Sequence, residues 1–298
     1  MNTKSFTLIE IMIVVLTISI LSSIIYVASG GIRERGEFAK VLMFSEKISS
    51  SLAENAVGDW SLDEATGSNV YDSSGNENNG TLSGTYSWET EKGTCVSGNC
   101  LTFNLGRVYI NNLTSLSDSM TFSGWFKKTT STWASIAFLG KRNSTTGWML
   151  YRNSGDTTGY FRWYSHYVTT LDAVSAYHAW PGIYNLSVGK WYHILVTRNE
   201  TGSTKIYLDS KLISNYDPPA DFSHWSTNNY GVSIGSERAG STSWSSTEAQ
   251  MDEMRIYDRF LSNAQIKEQY YTDINRLLVN GSVQEKDYIN RVKLVKNE

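Results

Sequence analysis

From residue 57 to residue 258, apolar and aromatic side chains come in short runs, many alternating with polar ones, and clusters of Gly, Asn, Ser and Asp separate the runs. Alternation at every second position marks a strand with one buried face, and the clusters supply turns. Strands are predicted over 57–62, 100–104, 107–110, 120–128, 135–141, 148–152, 160–164, 191–198, 205–208, 232–235 and 250–258. Asn78-Asn79-Gly80, Glu200-Thr201-Gly202 and Asp209-Ser210 are turn sequences between them. The period changes at residue 262, where Ser262 and Gln265 stand in a capping-box relation and open one short helix expected to end near Tyr271. The pattern is that of a mainly β chain folded as a sandwich.

The other end of the chain is different. Residues 11–32 carry no charged side chain. As a helix this stretch is ~33 Å long, enough to cross a hydrocarbon core of ~30 Å, and it is expected to span or lodge in a membrane. A secretory signal peptide is the alternative, with Lys4 as its positive start and Ala28-Ser29-Gly30 as a small-residue cleavage site. Against it, the apolar run is long for such a peptide and Glu10 stands at its mouth. Residues 33–55 turn polar but keep Phe38, Val41, Phe44, Ile48 and Leu52 at helical spacing. One helix is therefore predicted from Phe6 to Asn55, ~75 Å long, with Gly30-Gly31 as a soft point. No low-complexity linker follows, so the sandwich is expected to sit directly on the amphipathic half and bury Phe44, Ile48 and Leu52.

Composition narrows the partners. The chain has 298 residues, 26 basic and 29 acidic, for a formal charge of −3. That balance lacks the clustered positive surface on which counterion-driven binding depends, and no nucleic-acid partner is expected. Charged residues make up 18% and aromatic residues 13%, which fits packed β structure and not disorder. There are two cysteines, Cys95 and Cys100, so cysteine-based zinc sites and disulfide frameworks are left out. They bracket a Gly-containing turn, and in an exported domain they are expected to pair, closing a small loop worth ~2 kcal/mol in the chain-entropy model.

Ser5-Phe6-Thr7-Leu8-Ile9-Glu10 followed by the apolar run resembles the N-terminus of type IV prepilins and of the pseudopilins of type II secretion. The resemblance covers residues 1–55. It implies a leader of residues 1–5, a prepilin peptidase cut between Ser5 and Phe6, N-methylation of Phe6, and a pilin helix over 6–56 with its membrane part at 11–32. Glu10, a carboxylate at the edge of hydrocarbon, needs a partner there, and the new amino group of a neighbouring subunit's Phe6 is a suitable one. That contact sets the register of a helical filament. Ser5 stands where Gly is commoner, and Val27 where many major pilins have Pro.

The rest of the chain resembles the laminin G-like members of the concanavalin A-like jelly-roll superfamily. The landmarks come in order: Gly58-Asp59-Trp60-Ser61-Leu62-Asp63-Glu64, Asp72-Ser73-Ser74-Gly75, Thr121-Phe122-Ser123-Gly124-Trp125, Lys190-Trp191-Tyr192-His193-Ile194, Ile206-Tyr207-Leu208-Asp209, and residues 251–262 from Met251 to Ser262. This implies a jelly-roll sandwich over 57–272 and leaves 273–298 as a C-terminal tail. Ser210 stands where the family usually has a turn Gly after Asp. Members of the superfamily include sugar-binding lectins, calcium binders, adhesion modules and glycoside hydrolases, so the fold does not fix the function.

Hydrolases of this superfamily carry carboxylates two apart on one strand, so that both face one cleft. Here Asp252 and Glu253 are adjacent and are expected on opposite faces, while Glu248 is four residues from Asp252 in a Ser/Thr-rich turn. No enzymatic activity is expected. For glycan binding, Trp60, Trp125 and Trp191 fall in family motifs and read as core. Trp133, Trp148, Trp163, Tyr164, Tyr167 and Trp180 are the candidate stacking residues, with a long loop expected between Tyr167 and Pro181. His193 alternates with Trp191 and Leu195 and reads as a half-buried structural histidine. Asp63, Asp72 and Asp252 are the candidate calcium ligands, against the reading of Asp72-Ser73-Ser74-Gly75 as an Asx-type turn. The expected whole is a pilin-like filament subunit, handled by a prepilin peptidase and the pilus assembly machinery. It passes from the bacterial inner membrane to the extracellular surface and displays a lectin-like sandwich to a polysaccharide ligand. A minor pilin, a pseudopilin and a pilin-anchored polysaccharide hydrolase are the alternatives.

Overall fold

The computed structural model of the chain describes residues 12, 15–19, 52, 56–111, 113, 116–130, 136–142, 147–152, 161–169, 173–179, 186–218, 222–225, 231–236 and 248–296. The leader, the Ser5–Phe6 cut, Glu10 and nearly all of the expected 6–56 helix lie outside these residues. The chain divides into two units, Met1–Lys47 and Ile48–Glu298. In the first, residues 12 and 15–19 are helical. Met12, Val15, Leu16 and Ile18 are exposed, and the Ser19 hydroxyl donates to the Val15 carbonyl four residues back at 2.7 Å. Among the described residues no helix is long and apolar enough to cross a membrane.

The second unit is two antiparallel sheets with helices at its C-terminal end. The first sheet contains β1 (Ala56–Trp60), β4 (Tyr86–Glu89), β5 (Cys100–Asn104), β7 (Met120–Lys128), β12 (Trp191–Arg198), β13 (Thr204–Leu208), β14 (Lys211–Tyr216) and β17 (Glu248–Tyr257). Its order is β14-β13-β12-β7-β17-β5-β4. The long β17 pairs β5 through residues 248–251 and β1 through 254–257, so two short strands share one of its edges. The second sheet contains β2 (Asn69–Val70), β3 (Gly80–Ser83), β6 (Arg107–Ile110), β8 (Ile136–Arg142), β9 (Gly147–Arg152), β10 (Phe161–Thr169), β11 (Ala173–Ala179), β15 (Phe222–Trp225) and β16 (Val232–Ile234). They run β11-β10-β9-β8-β16-β6-β3-β2, with β15 on β10.

The core lies between the sheets because each strand sends every second side chain inward. Phe122, Phe126, Ile194, Val196, Met251 and Ile256 of the first sheet meet Val108, Phe138, Leu150, Phe161 and Ile234 of the second in one apolar cluster. Phe126 packs edge-on against Phe138 with ring centroids 4.7 Å apart.

The helices lie beyond the last strand. Helix α1 (Asn263–Asn280) opens on Ser262, whose side chain accepts from the Gln265 amide while the Gln265 side chain accepts from the Ser262 amide, the expected capping box. It does not stop near Tyr271. Ile266, Tyr270, Ile274 and Leu277 continue a buried stripe, and the stop comes at Gly281, in the left-handed region at φ 83°. Helix α2 (Glu285–Lys296) follows, so the segment 273–298 is helical over most of its length.

Three further details differ from expectation. The first strand begins at Ala56 and ends at Trp60 because Leu62, buried, turns left-handed at φ 59°. The loop expected after Tyr167 contains β11, paired with β10 from Arg162↔Ala179 to Val168↔Ala173. Strands β2, β3, β4, β14 and β15 were also unanticipated; they are short or polar, and pairing with a neighbour rather than their own pattern makes them strands.

Candidate functional site

The aromatic residues singled out as stacking platforms are where period-2 alternation puts them. Phe161 and Trp163 on β10 and Trp148 and Leu150 on β9 point into the core. Trp148 and Trp163 stack on each other with centroids 5.5 Å apart, and Trp163 is 1% exposed. Tyr164 faces the opposite way, yet it is also buried, in a small apolar cluster with Ala137, Met149 and Tyr151 on the outer face of the second sheet. None of the three offers a ring to solvent. Tyr167 sits in β10 opposite Val174 of β11 and Trp225 of β15. Trp133 and Trp180 lie outside the described residues. Trp60, Trp125 and Trp191 are buried as expected.

The polar chemistry of the described residues concentrates on the outer face of the first sheet, under α1. It starts from a bulge. Asp252 pairs with Trp125 and Arg255 with Ser123, so three steps on β17 match two on β7. Glu253 takes up the extra residue in the left-handed region at φ 52°. Met251 and Met254 therefore both reach the core, and Asp252 and Glu253 both lie on the outer face. This corrects the expectation that adjacent carboxylates point to opposite sides: alternation holds only where the ladder is regular.

Around the bulge the charges pair. The Arg255 guanidinium contacts Asp59 at 3.2 Å, Asp273 at 2.9 Å and the Glu253 carboxylate. Arg276 reaches Glu253 at 2.6 Å and Asp273 at 3.4 Å. Asp273 also accepts from the Trp125 indole at 3.1 Å. Burial works to raise the Asp273 carboxyl, but Arg255 and Arg276 overcome it and hold it below the usual carboxylate range. His193 is fully buried, not half-buried, between the rings of Trp125 at 5.2 Å and Tyr270 at 5.8 Å. Burial pushes its imidazole down to about 4, so it is neutral at physiological pH.

Beside the network lies a small open cleft, with Ala56, Asp59, Tyr257, Glu268, Gln269 and Thr272 among its lining residues. Burial pushes the Glu268 carboxyl up to about 7. Sequence reasoning missed this site. Its only sequence signal is that Glu268 and Gln269 lie within the helix predicted from Ser262 to about Tyr271.

The candidate calcium ligands do not converge. Asp72 accepts from the amides of Asp59, Ser74 and Asn78 at 2.9–3.0 Å and from the Ser74 hydroxyl at 2.8 Å, which makes it the centre of an Asx-type turn. Asp63 accepts from the Asn99 amide at 2.7 Å. Asp252 accepts from the amides of Val96 and Ser97 at 2.8 and 3.2 Å. Each of the three already accepts from backbone N–H donors, and among the described residues their oxygens do not form one close group of ligand atoms. Among the described residues the one close group of three ligand side chains is Cys95, Cys100 and Asp252, and its two sulfurs are bonded to each other as expected. The disulfide closes a loop that ties the domain together: the Cys95 carbonyl accepts from Asn280 at 2.9 Å and from the Ser282 hydroxyl. The Thr94 carbonyl accepts from Lys127 at 2.7 Å and the Trp191 indole at 2.9 Å.

Residues 104–267, more than half of the chain, match the model of the concanavalin A-like lectin/glucanases superfamily in its laminin G form. The chain belongs to that superfamily. Among solved structures it resembles domain 4 of AbnA, an extracellular arabinanase of Geobacillus stearothermophilus, in complex with arabinotriose. The identity is 18%, the TM-score 0.53, and the match covers 72% of this chain and 97% of that one. It also resembles the receptor-binding domain of botulinum neurotoxin mosaic serotype C/D, at 15% identity, TM-score 0.53, covering 75% of this chain and 52% of that one. A third is the serotype D ligand-binding domain in complex with N-acetylneuraminic acid, at 15% identity and TM-score 0.50, covering 76% and 52%. At these identities the likeness is one of fold, and the chain spans about half the length of the toxin domains. No curated protein matches the chain.

Proposed function

We propose that the chain is a pilin-like filament subunit whose β-sandwich binds a glycan at the cell surface. One observation carries this reading: a sandwich of the lectin/glucanase superfamily follows Phe6-Thr7-Leu8-Ile9-Glu10 and an uncharged stretch of residues 11–32. The sandwiches it resembles include one bound to arabinotriose and one bound to N-acetylneuraminic acid, which supports a sugar as the ligand. The filament part rests on the N-terminal sequence. In it, a prepilin peptidase cuts after Ser5, the helices pack into a filament core, and Glu10 fixes their register. The precursor waits in the inner membrane and the sandwich ends outside the cell. The action is binding, not hydrolysis, because Asp252 is held by two backbone amides and Glu253 by two arginines, and neither is available as acid or nucleophile. Since Trp148, Trp163 and Tyr164 are buried, Trp133, Tyr167 and Trp180 are the candidates that remain for stacking on the sugar.

Two experiments test the two halves. The full chain, in a polyoxyethylene detergent that carries no sugar, is applied to a glycan array that includes arabino-oligosaccharides and sialylated glycans. Retention on at least one class is expected, and silence across the array overturns the glycan half. In cells, Glu10→Ala is expected to abolish incorporation into filaments, and normal assembly of that variant overturns the register role.

A further inference from the structure

The cleft between α1 and β17 serves neither the sandwich core nor the filament, and its walls are unbalanced in a way that specifies a ligand. Leu52, Ala56 and Tyr257 line it together with Glu268, Gln269 and Thr272 and with the paired Asp59, Arg255, Asp273 and Arg276. Among the residues outside the ion-pair network the unsatisfied groups are acceptors. Gln269 spends its side-chain N–H on the Ser123 hydroxyl, and its Oε1 has no partner. Glu268 Oε1 has none either, although the two residues are 5% and 6% exposed. The Thr272 hydroxyl gives its proton to the Glu268 carbonyl at 3.1 Å, so toward the cleft it can only accept. Two cations also line the cleft, and both are paired: Arg255 with Asp59, Glu253 and Asp273, and Arg276 with Glu253 and Asp273. Glu268 is the carboxylate left over, and buried charge asks for a counter-ion.

We propose that this cleft binds a primary alkylammonium ion, with its N–H donors on Glu268, Gln269 and Thr272 and its alkyl chain along Leu52, Ala56 and Tyr257. An ammonium is a compact cation with three donors and no acceptor, the complement of three acceptors around one unpaired carboxylate. A carboxylate or phosphate meets the unpaired oxygens of Glu268 and Gln269 there, and the two guanidiniums that also line the cleft are held by Asp59, Glu253 and Asp273. An alcohol brings one donor and no charge. A quaternary ammonium brings charge and no donor. The chemistry is that of a free alkylamine or of a lysine side chain. It stands independently of the glycan reading, because Glu268, Gln269 and Thr272 lie outside the residues matched by the superfamily.

Calorimetric titration of the full chain in polyoxyethylene detergent tests it, with n-butylamine as the probe and n-butanol and tetramethylammonium as controls. Saturable butylamine binding is expected, at least tenfold tighter than either control. Nα-acetyl-lysine amide is the second arm: binding comparable with butylamine makes the lysine side chain the source, and its exclusion makes it the free amine. Glu268→Gln keeps the shape and removes the charge, and is expected to weaken butylamine at least tenfold with an unfolding midpoint no lower than that of the wild type. Thr272→Val, which removes one acceptor, is expected to weaken it less. Equal binding of butylamine and butanol overturns the proposal, as does the absence of saturable binding, or an affinity unchanged in both variants.

Discussion

The outer faces of the two sheets solve the same problem with opposite chemistry. On the second sheet, Ala137, Met149, Tyr151 and Tyr164 bury against one another without any charge among them. On the first, α1 covers Asp59, Glu253 and Arg255, and the helix supplies Asp273 and Arg276 to pair with them. An apolar face tolerates partial loss, because each side chain contributes through area. A buried ionic face does not, because removing one partner leaves the others charged and unsolvated.

The sharpest test of that difference is Asp273→Ala. It strips Arg255, Arg276 and the Trp125 indole of a common acceptor, and a loss of about 3–5 kcal/mol in denaturant unfolding is expected. Met149→Ala on the second sheet is expected to lose less, about 2–3 kcal/mol, as a cavity cost. If the two losses come out in the reverse order, the contrast between the faces fails. Breaking the disulfide with Cys95→Ser and Cys100→Ser removes the clasp on the far end of α1. It is expected to cost about 2 kcal/mol, and amide exchange should rise at Asn280 to Ser282, where the loop carbonyl is held.

The ionic face should also respond to pH. The carboxyl of Glu268 is raised from 4.5 to about 7, so between those values the native chain holds a proton that the unfolded chain has given up. Its stabilising contribution is whole below about 4.5 and is lost as pH rises through about 7. Unfolding of the wild type at pH 5 and pH 7 should show this loss relative to Glu268→Gln, which lacks it. The contribution of Asp273 has the opposite sign: its carboxyl is held low, so its stability is present at neutral pH and goes as pH falls through the native value.

The smallest expected effect is a gain. The β13–β14 turn places Asp209 and Ser210 at φ 50° and 64°, a two-residue hairpin loop of the type that favours glycine. Ser210 is also buried with its hydroxyl unpartnered. Ser210→Gly is expected to raise stability by roughly 0.5–1 kcal/mol, read as a shift in denaturation midpoint at unchanged slope.

Much of this was legible in the chain. The strands around Phe122, Ile194 and Ile256 were readable because regular alternation along them encodes a buried face. The Ser262–Gln265 cap was readable because its bonds are local. The Cys95–Cys100 pair was readable because there is no other cysteine to choose. The site was far less legible. That Trp148 and Trp163 face inward while Tyr164 faces outward and is buried depends on the register of β9 and β10 and on what covers the sheet.

Local alternation, turn residues and ordered motifs were enough to read the class, a mainly β superfamily sandwich, because each acts over a few residues at a time. Packing decided that α1 lies over the first sheet, and that one extra residue at Glu253 turns two neighbouring carboxylates to the same side. It also decided that Glu268 lines a cleft with no partner for its oxygen. Each of these depends on groups far apart in the chain, whose pairing, burial and charge balance exist only once the sheets and the helix are packed.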